Sequence, residues 1–260
     1  MVRREKTHYV IQSVSHALDV LEQFAGEADE LGVTELSKRL KLHKNNVFRL
    51  LATLEARGYI EQNKATENYR LGVRCLRLGQ RFVLQTGLLR QARPVMQQIA
   101  KASRETALIA VVRNGTVVPL DAVETEQPVR LVSRIGDFLP LHCTAAGKLH
   151  LAFADDELRA ALPETLQKFT EKTILDRHVL TQQLKKVAEN GYAVDLGEHI
   201  EDVRAVAVPV RDYTRAVVGS LAVSGPAYRL SQERIEKEVV PLMIKAGREL
   251  STRLGFDSDQ

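Results

Sequence analysis

Between Leu36 and Leu54 the chain carries five charged residues, and all are basic: Lys38, Arg39, Lys41, Lys44 and Arg49. A surface that meets phosphates gains from each cation and is repelled by each acid, so a stretch of one sign suits a nucleic-acid interface. Lys44, Asn45, Asn46, Phe48 and Arg49 lie close together in its second half. Asn can pair bidentately with adenine, and Arg with guanine, along a major-groove edge. An Asn near the start of a helix serves equally well as a cap, so Asn45 and Asn46 carry two readings. Lys64 and Arg70 follow shortly after and would bring charge near a phosphate backbone. The competing use of these residues is a helical bundle with a solvated basic face.

A second concentration of reactive types lies at His142-Cys143 and Gly147-Lys148. Gly-Lys is part of a phosphate loop, but that loop needs Gly at position 142 and Ser or Thr at position 149, where His142 and Leu149 stand. His142 and Cys143 are sequence neighbours, and a thiol nucleophile needs a base brought to it in space. His142 is better suited to a structural hydrogen bond. Asp155-Asp156-Glu157 reads as a helix start, where acids favour the dipole. No nucleophile–base pair or metal set converges in the sequence, so an enzyme is not expected, and neither a cofactor nor a metal is implied.

The elements that would position these groups follow from periodicity and punctuation. Val14, Leu18, Leu21 and Phe24 or Ala25 recur at helical spacing, predicting a helix over 14–25. Thr34 is expected to cap a short helix at 35–40, with Lys41-Leu42-His43 as a turn and a second helix at 44–57 ended by Gly58. Tyr59–Glu61 and Tyr69–Leu71 flank a polar turn and read as a hairpin. Helix, short helix, turn, helix and hairpin is the order of a winged helix-turn-helix, and it meets the acid-free stretch at its second helix. A helix over 73–85, with Leu76, Phe82 and Val83 on one face, reads as a linker that also suggests self-association.

From about Leu88 the pattern is mixed α and β. A helix is marked by Val95, Ile99 and Ala102. Strands at 108–113 and 116–124 flank Asn114-Gly115, whose positive-φ preference suits a tight turn. A further strand is expected at 130–133, helices at 145–153, 155–161 and 180–190, and strands at 192–195, 205–211 and 217–224. Ser231 is expected to cap a last helix that Pro241 should kink. Together these predict an α+β chain with a winged helix-turn-helix DNA-binding domain at 1–72, a linker helix at 73–87 and a larger domain at 88–260.

The 260 residues are 44% hydrophobic with a net charge of +4, enough to bury a sizeable core and compatible with nucleic acid. The two cysteines, Cys75 and Cys143, belong to no CxxC pattern, which argues against a disulfide framework or zinc site. The start lacks the apolar stretch of a signal peptide and no apolar run is long enough to span a bilayer, so a cytoplasmic location without membrane contact is expected.

Three stretches give the chain a resemblance over nearly its whole length. Gln12-Ser13-Val14, Ala17-Leu18 and Val20-Leu21 lead to Val47-Phe48-Arg49-Leu50-Leu51 and Tyr69-Arg70-Leu71-Gly72. Pro140-Leu141-His142-Cys143-Thr144-Ala145-Ala146-Gly147-Lys148 is the second. Gly191-Tyr192-Ala193-Val194-Asp195, Glu198, Val206-Ala207, Pro209-Val210 and Ser224-Gly225-Pro226 form the third. The sequence is similar to the IclR family of bacterial transcriptional regulators. The resemblance implies a winged helix, a linker helix and a GAF-like effector-binding domain built on an antiparallel sheet. It also implies a homodimer or homotetramer on a double-stranded DNA operator, and a small-molecule effector, often a carboxylate or aromatic catabolite, that changes DNA binding.

Carried over position by position, the effector site comprises Ala145, Ala146, Asp195, Ala205, Ala222 and Ser224. Small residues at a helix N-terminus leave backbone N–H groups open to an anion. The sequence departs from the family where Ala205 replaces Cys or Ser and Ala222 replaces Ser, which favours a larger and more apolar ligand. His16 stands where Arg is usual, Asn45-Asn46 where Ser-Thr is usual, and Asp202 where Gly is favoured. Two other classes compete: an enzyme with a fused winged helix, against which stands the lack of a convergent nucleophile–base or metal set in the sequence, and a DNA-binding protein with no ligand, against which stands the long second domain.

Overall fold

The computed structural model describes residues 10–26, 28–85, 87–133 and 135–256. The chain divides into two compact units, Met1–Gln85 and Thr86–Gln260.

In the first unit α1 (Gln12–Glu22) runs into a 3₁₀ turn at Gln23–Ala25, followed by α2 (Val33–Leu40) and α3 (Lys44–Ala56). Strands β1 (Ile60–Gln62) and β2 (Tyr69–Leu71) pair antiparallel, Glu61 opposite Arg70, and α4 (Val73–Gln85) follows. Val20, Phe24, Leu36, Val47, Leu51, Leu54, Ile60 and Tyr69 share one core. Emptying such a site, for instance by Leu51→Ala, costs about 2–5 kcal/mol. The α2–α3 turn is closed by Lys41 in the left-handed region at φ 54° and by the Ser37 hydroxyl, which donates to the Leu42 carbonyl at 2.6 Å. Gly58, at φ +72°, follows α3 as its spacing predicts, and its N–H donates to the Glu55 carbonyl at 2.7 Å.

Helix α2 differs from expectation at its start. Its cap is Gly32 in extended conformation, not Thr34, and no side chain caps it. The cause is tertiary. Leu31 exchanges both backbone hydrogen bonds with Tyr69, at 2.9 and 3.0 Å, and so joins the wing as a third strand segment. The chain must then turn at once, and a Cβ at Gly32 would stand 2.7 Å from Asn68 Oδ1.

The second unit begins with α5 (Gly87–Ser103) and the hairpin of β3 (Thr106–Arg113) and β4 (Thr116–Val123). Helices α6 (Ala145–Phe153), α7 (Asp156–Ala160) and α8 (Arg177–Asn190) precede β5 (Ala193–Asp195), β6 (Val203–Arg211) and β7 (Val217–Pro226). The chain ends in α9 (Gln232–Arg234), a π-helical turn at Ile235–Val239, and α10 (Val240–Arg253). The five strands form one antiparallel sheet in the order β4-β3-β7-β6-β5. Strand side chains alternate faces. Ala107, Ile109, Val206, Val208, Leu221 and Val223 therefore pack under α5 and α10, while Leu108, Ala110, Ala193, Ala207 and Ala222 pack under α6 and α8.

Two expectations are corrected here. Residues 130–133 form no strand: β3 already has β4 on one edge and β7 on the other, and the segment is held instead by the Thr106 hydroxyl, which donates to the Leu131 carbonyl at 2.9 Å. Helix α8 begins at Arg177, before Leu180, because Asp176 caps it by accepting from the N–H groups of His178 and Val179. At Pro241 the helical run changes its winding: a π turn at Ile235–Val239 precedes the proline, which stands in the first turn of α10, and the wider turn accommodates its missing N–H and its ring. Ser231 and Asp155 cap α9 and α7 as their positions predict. The side chains of Phe82 and Val83 lie outside the described residues.

Candidate DNA interface and effector site

Helix α3 buries Val47, Leu51 and Leu54 and turns Lys44, Asn45, Phe48 and Arg49 to solvent, together with Asn46. No side chain caps its N-terminus, so Asn45 and Asn46 are free of the capping role and their amides remain available. Phe48 is 53% exposed in the middle of this polar face. An exposed ring there can meet a thymine methyl. Lys38 on α2 is exposed on the same unit. Among the described residues Lys38, Lys44 and Arg49 have no carboxylate within ion-pair distance, whereas Arg39 is paired with Glu35.

Exposed Lys64 sits at the tip of the wing, and Arg70 lies on β2, where its guanidinium reaches Glu61 at 3.3 Å. Glu30 fixes the wing. Its carboxylate accepts from Asn63 Nδ2 and from the Thr66 hydroxyl, both at 2.7 Å, and these bonds hold its pKa below the usual range. Sequence reading missed Glu30, because its partners lie more than thirty residues away. His16 lines a groove with Asn46, Arg49 and Thr53, so the α1 position that departs from the family pattern adjoins the polar face of α3.

In the second unit the ladder registers bring the predicted residues together. Asp195 is opposite Ala205, Ala205 opposite Ser224, and Ser224 opposite Thr106, giving one row across four strands. Ala222 lies in the next row on the same face, opposite Ala207 and Leu108. Ala145 and Ala146 open α6, which packs on that face. Asp195, Ser224, Ala222, Ala145 and Ala146 are buried, and Ala205 is half-buried. Among the described residues the Ser224 hydroxyl has no hydrogen-bond partner.

The start of α6 is built by its loop. The Thr144 hydroxyl donates to the Pro140 carbonyl at 2.7 Å and accepts from the Gly147 N–H at 3.1 Å. A Cβ on Gly147 would stand 2.3 Å from the Leu141 carbonyl oxygen, so only glycine lets the loop fold against the helix. The amides of Ala145 and Ala146 lie in the first turn, where the helix offers no acceptor, and no other acceptor reaches them among the described residues.

Acids and one cation adjoin this amide pair. Lys148 is fully buried and forms an ion pair with Glu198, whose second oxygen is unpartnered. Asp195 Oδ1 accepts from the N–H groups of Gly197 and Glu198 at 3.0 and 2.7 Å. Burial pushes the Asp195 carboxyl up to about 6 despite these bonds and the nearby Lys148, and burial also raises Glu198. The 197–198 turn is held from outside by the Thr170 and Thr173 hydroxyls, each donating at 2.7 Å to a carbonyl of Gly197 or Glu198. Sequence reading missed the Lys148–Glu198 pair. Its signal is a lone Lys inside the mostly apolar run of α6, which must find a counter-charge.

His142 makes the structural bond expected of it, with Nε2 2.9 Å from the Gln167 carbonyl. The buried Cys143 thiol is pushed up to about 12, first by burial and then by Asp195 and Glu198, so it stays protonated and unreactive at neutral pH. His150 is lowered to about 4 by burial. Among the described residues no cluster of His, Cys, Asp or Glu could hold a metal.

A helix-turn-helix with a wing, and a separate antiparallel-sheet domain bearing a buried polar row, define a DNA-binding transcriptional regulator with an effector domain. The IclR helix-turn-helix domain profile matches residues 13–64, and the bacterial transcriptional regulator IclR C-terminal profile matches residues 80–252. The chain belongs to the IclR family of bacterial transcriptional regulators, and its relatives are regulators, not enzymes. It is 35% identical to the HTH-type transcriptional regulator KdgR of Escherichia coli (strain K12) over 248 residues, 94% of each chain. An IclR transcriptional regulator from Alicyclobacillus acidocaldarius superposes with TM-score 0.84 at 27% identity, across 95% of this chain and 100% of that one. An IclR homolog from Microbacterium hydrocarbonoxydans, complexed with 4-hydroxybenzoate, shares the fold at TM-score 0.84 and 23% identity, across 94% and 99% of the two chains. Among the described residues no helix is long and apolar enough to cross a membrane.

Proposed function

We propose that the protein controls catabolic genes in response to a small organic acid, aromatic or aliphatic, bound on the row Asp195–Ala205–Ser224 beneath the start of α6. The observation that carries this reading is the set of idle polar groups there: two buried first-turn amides at Ala145 and Ala146 and the unpartnered Ser224 hydroxyl. A carboxylate satisfies the amides and the hydroxyl together. Ala205 and Ala222, both methyl-sized, leave the rest of the surface apolar, which favours an aromatic body over a two- or three-carbon keto acid. The 4-hydroxybenzoate held by the Microbacterium homolog is of this class.

On the DNA side Lys44, Asn45, Asn46, Phe48 and Arg49 read the major groove, while Lys38, Lys64 and Arg70 contact the backbone. Domain limits of 1–72 and 88–260, with the segment between them as linker, fit this division of labour. A homodimer, itself able to pair into a tetramer, is supported by apolar stripes that lie exposed among the described residues. Val10, Ile11, Val14 and Leu18 on and before α1 are each at least 54% exposed, and Val73 and Leu76 on α4 are 64% and 59% exposed. Such stripes mark association surfaces. A twofold dimer reads inverted half-sites. The place of action is the cytoplasm, where the operator is.

The test is a screen of aromatic and aliphatic carboxylates against the protein–operator complex, read by fluorescence anisotropy. The expected result is an acid that shifts operator affinity in the native chain and loses that effect in Ser224→Ala. An acid that acts equally on both chains would place the effector elsewhere.

A further inference from the structure

The second unit holds another cleft, of about 340 Å³, at the far end of the elements that carry the effector row. Helix α6 starts at Ala145 in the row and ends at Phe153 in the cleft; β6 carries Ala205 toward one end and Arg211 at the other. Arg211 is half-buried, with its guanidinium 4.8 Å from the centre of the Phe153 ring. Its Nη1 donates to the Arg215 carbonyl at 2.8 Å, and its backbone N–H donates to the Ser251 hydroxyl at 3.0 Å. Burial holds its pKa below the usual range. Arg248 of α10 lines the same cleft. Among the described residues neither guanidinium has a carboxylate within ion-pair distance, although Arg253 on the same helix pairs with Glu249. The acid lining the cleft is Glu189, an exposed residue near the end of α8.

A guanidinium drawn out of water without a counter-ion is at an electrostatic deficit that an anion relieves. The cleft also offers an apolar surface beside the cations, in Phe153 and Phe256. We propose that this cleft is a second ligand site, for an anion with a flat apolar body such as an aromatic carboxylate or sulfonate. The charged group lies between Arg211 and Arg248 and the ring packs toward Phe256. The site needs no ligand at the row, and an occupant bears on the far ends of α6 and β6 and so on the elements that shape the row.

The probe is 8-anilinonaphthalene-1-sulfonate, an anionic aromatic dye, titrated into the full chain and into Arg248→Gln, Arg211→Gln/Arg248→Gln and Ser224→Ala variants. The chain has no Trp to compete in the emission. Saturable binding is expected, weakened several-fold by Arg248→Gln, at least tenfold by the double substitution, and unchanged by Ser224→Ala. Arg248 is exposed, so its substitution keeps the fold, and a matching unfolding midpoint confirms that for each variant. Binding that ignores both arginine variants, binding lost in Ser224→Ala alone, or no saturable binding would overturn the proposal.

Discussion

Asp195→Asn should stabilise the second unit at alkaline pH and lose that advantage in acid. Asp195 is 4% exposed, and its folded pKa is raised from 3.8 to about 6, chiefly by burial. A raised carboxyl pKa means that the folded chain holds a proton the unfolded chain releases, so stability is full below about pH 4, falls as pH rises toward 6, and stays reduced above it. At about 1.36 kcal/mol per pH unit the burden of the ionised carboxylate is about 3 kcal/mol at pH 8. Asn keeps Oδ1 as acceptor for the Gly197 and Glu198 N–H groups, removes the charge, and adds an amide N–H₂ whose burial without a partner costs about 1–3 kcal/mol. That amide cost is independent of pH, so the pH-dependent difference is the cleaner quantity. Relative to the native chain, the variant should gain about 2 kcal/mol between pH 4.5 and pH 8. Urea unfolding followed by circular dichroism at both pH values measures it. The titration of His150 is common to both proteins and cancels to first order, whereas Glu198, whose charge helps raise Asp195, is relieved of that repulsion in the variant and adds to the gain at high pH. A difference between the two chains that is the same at both pH values would mean that Asp195 carries no proton in the folded chain at pH 4.5 beyond what the unfolded chain carries.

Gly147→Ala drives a methyl to 2.3 Å from the Leu141 carbonyl oxygen, and backbone cannot yield that much. A loss of more than about 3 kcal/mol in urea unfolding is expected, and a loss below about 1 kcal/mol would show that the loop adapts. Arg49→Ala should weaken the operator by about 1–3 kcal/mol and relax preference at one base pair, while Lys64→Ala should weaken all DNA alike and lower the salt slope by about 1. Anisotropy titrations at several salt concentrations separate the two, and identical behaviour would contradict the division between base reading and backbone contact. Ala205→Ser adds a hydroxyl between Asp195 and Ser224 and should lower affinity for an apolar aromatic acid several-fold while sparing smaller keto acids; calorimetry that finds no change in preference would refute this placement.

The helix-turn-helix was legible because its signals are local: one face of apolar spacing in α3, Gly58 behind it, and basic residues with no acid between Leu36 and Leu54. The proposed effector row was legible only through the family resemblance, since Asp195, Ala205 and Ser224 meet through strand register and not through nearness in sequence. What sequence reading missed is long-range. Glu30 reaches the wing across thirty-three residues to Asn63, and Lys148 reaches Glu198 across fifty. The false strand at 130–133 has the same origin: its composition suits a strand, but both edges of β3 are already occupied.

The activity proposed for the exposed face of α3 is the reading of a DNA sequence. Its most direct test is to let the purified chain select fragments from the sheared genomic DNA of its own source and to measure the enriched fragment by anisotropy against unrelated DNA as salt is raised. A few enriched sites with inverted half-sites are expected, bound more tightly than unrelated DNA, with affinity falling steeply with salt and preference for the site lost in Arg49→Ala. Recovery of no fragment above the random background, or an enriched site bound equally well by Arg49→Ala, would contradict that activity.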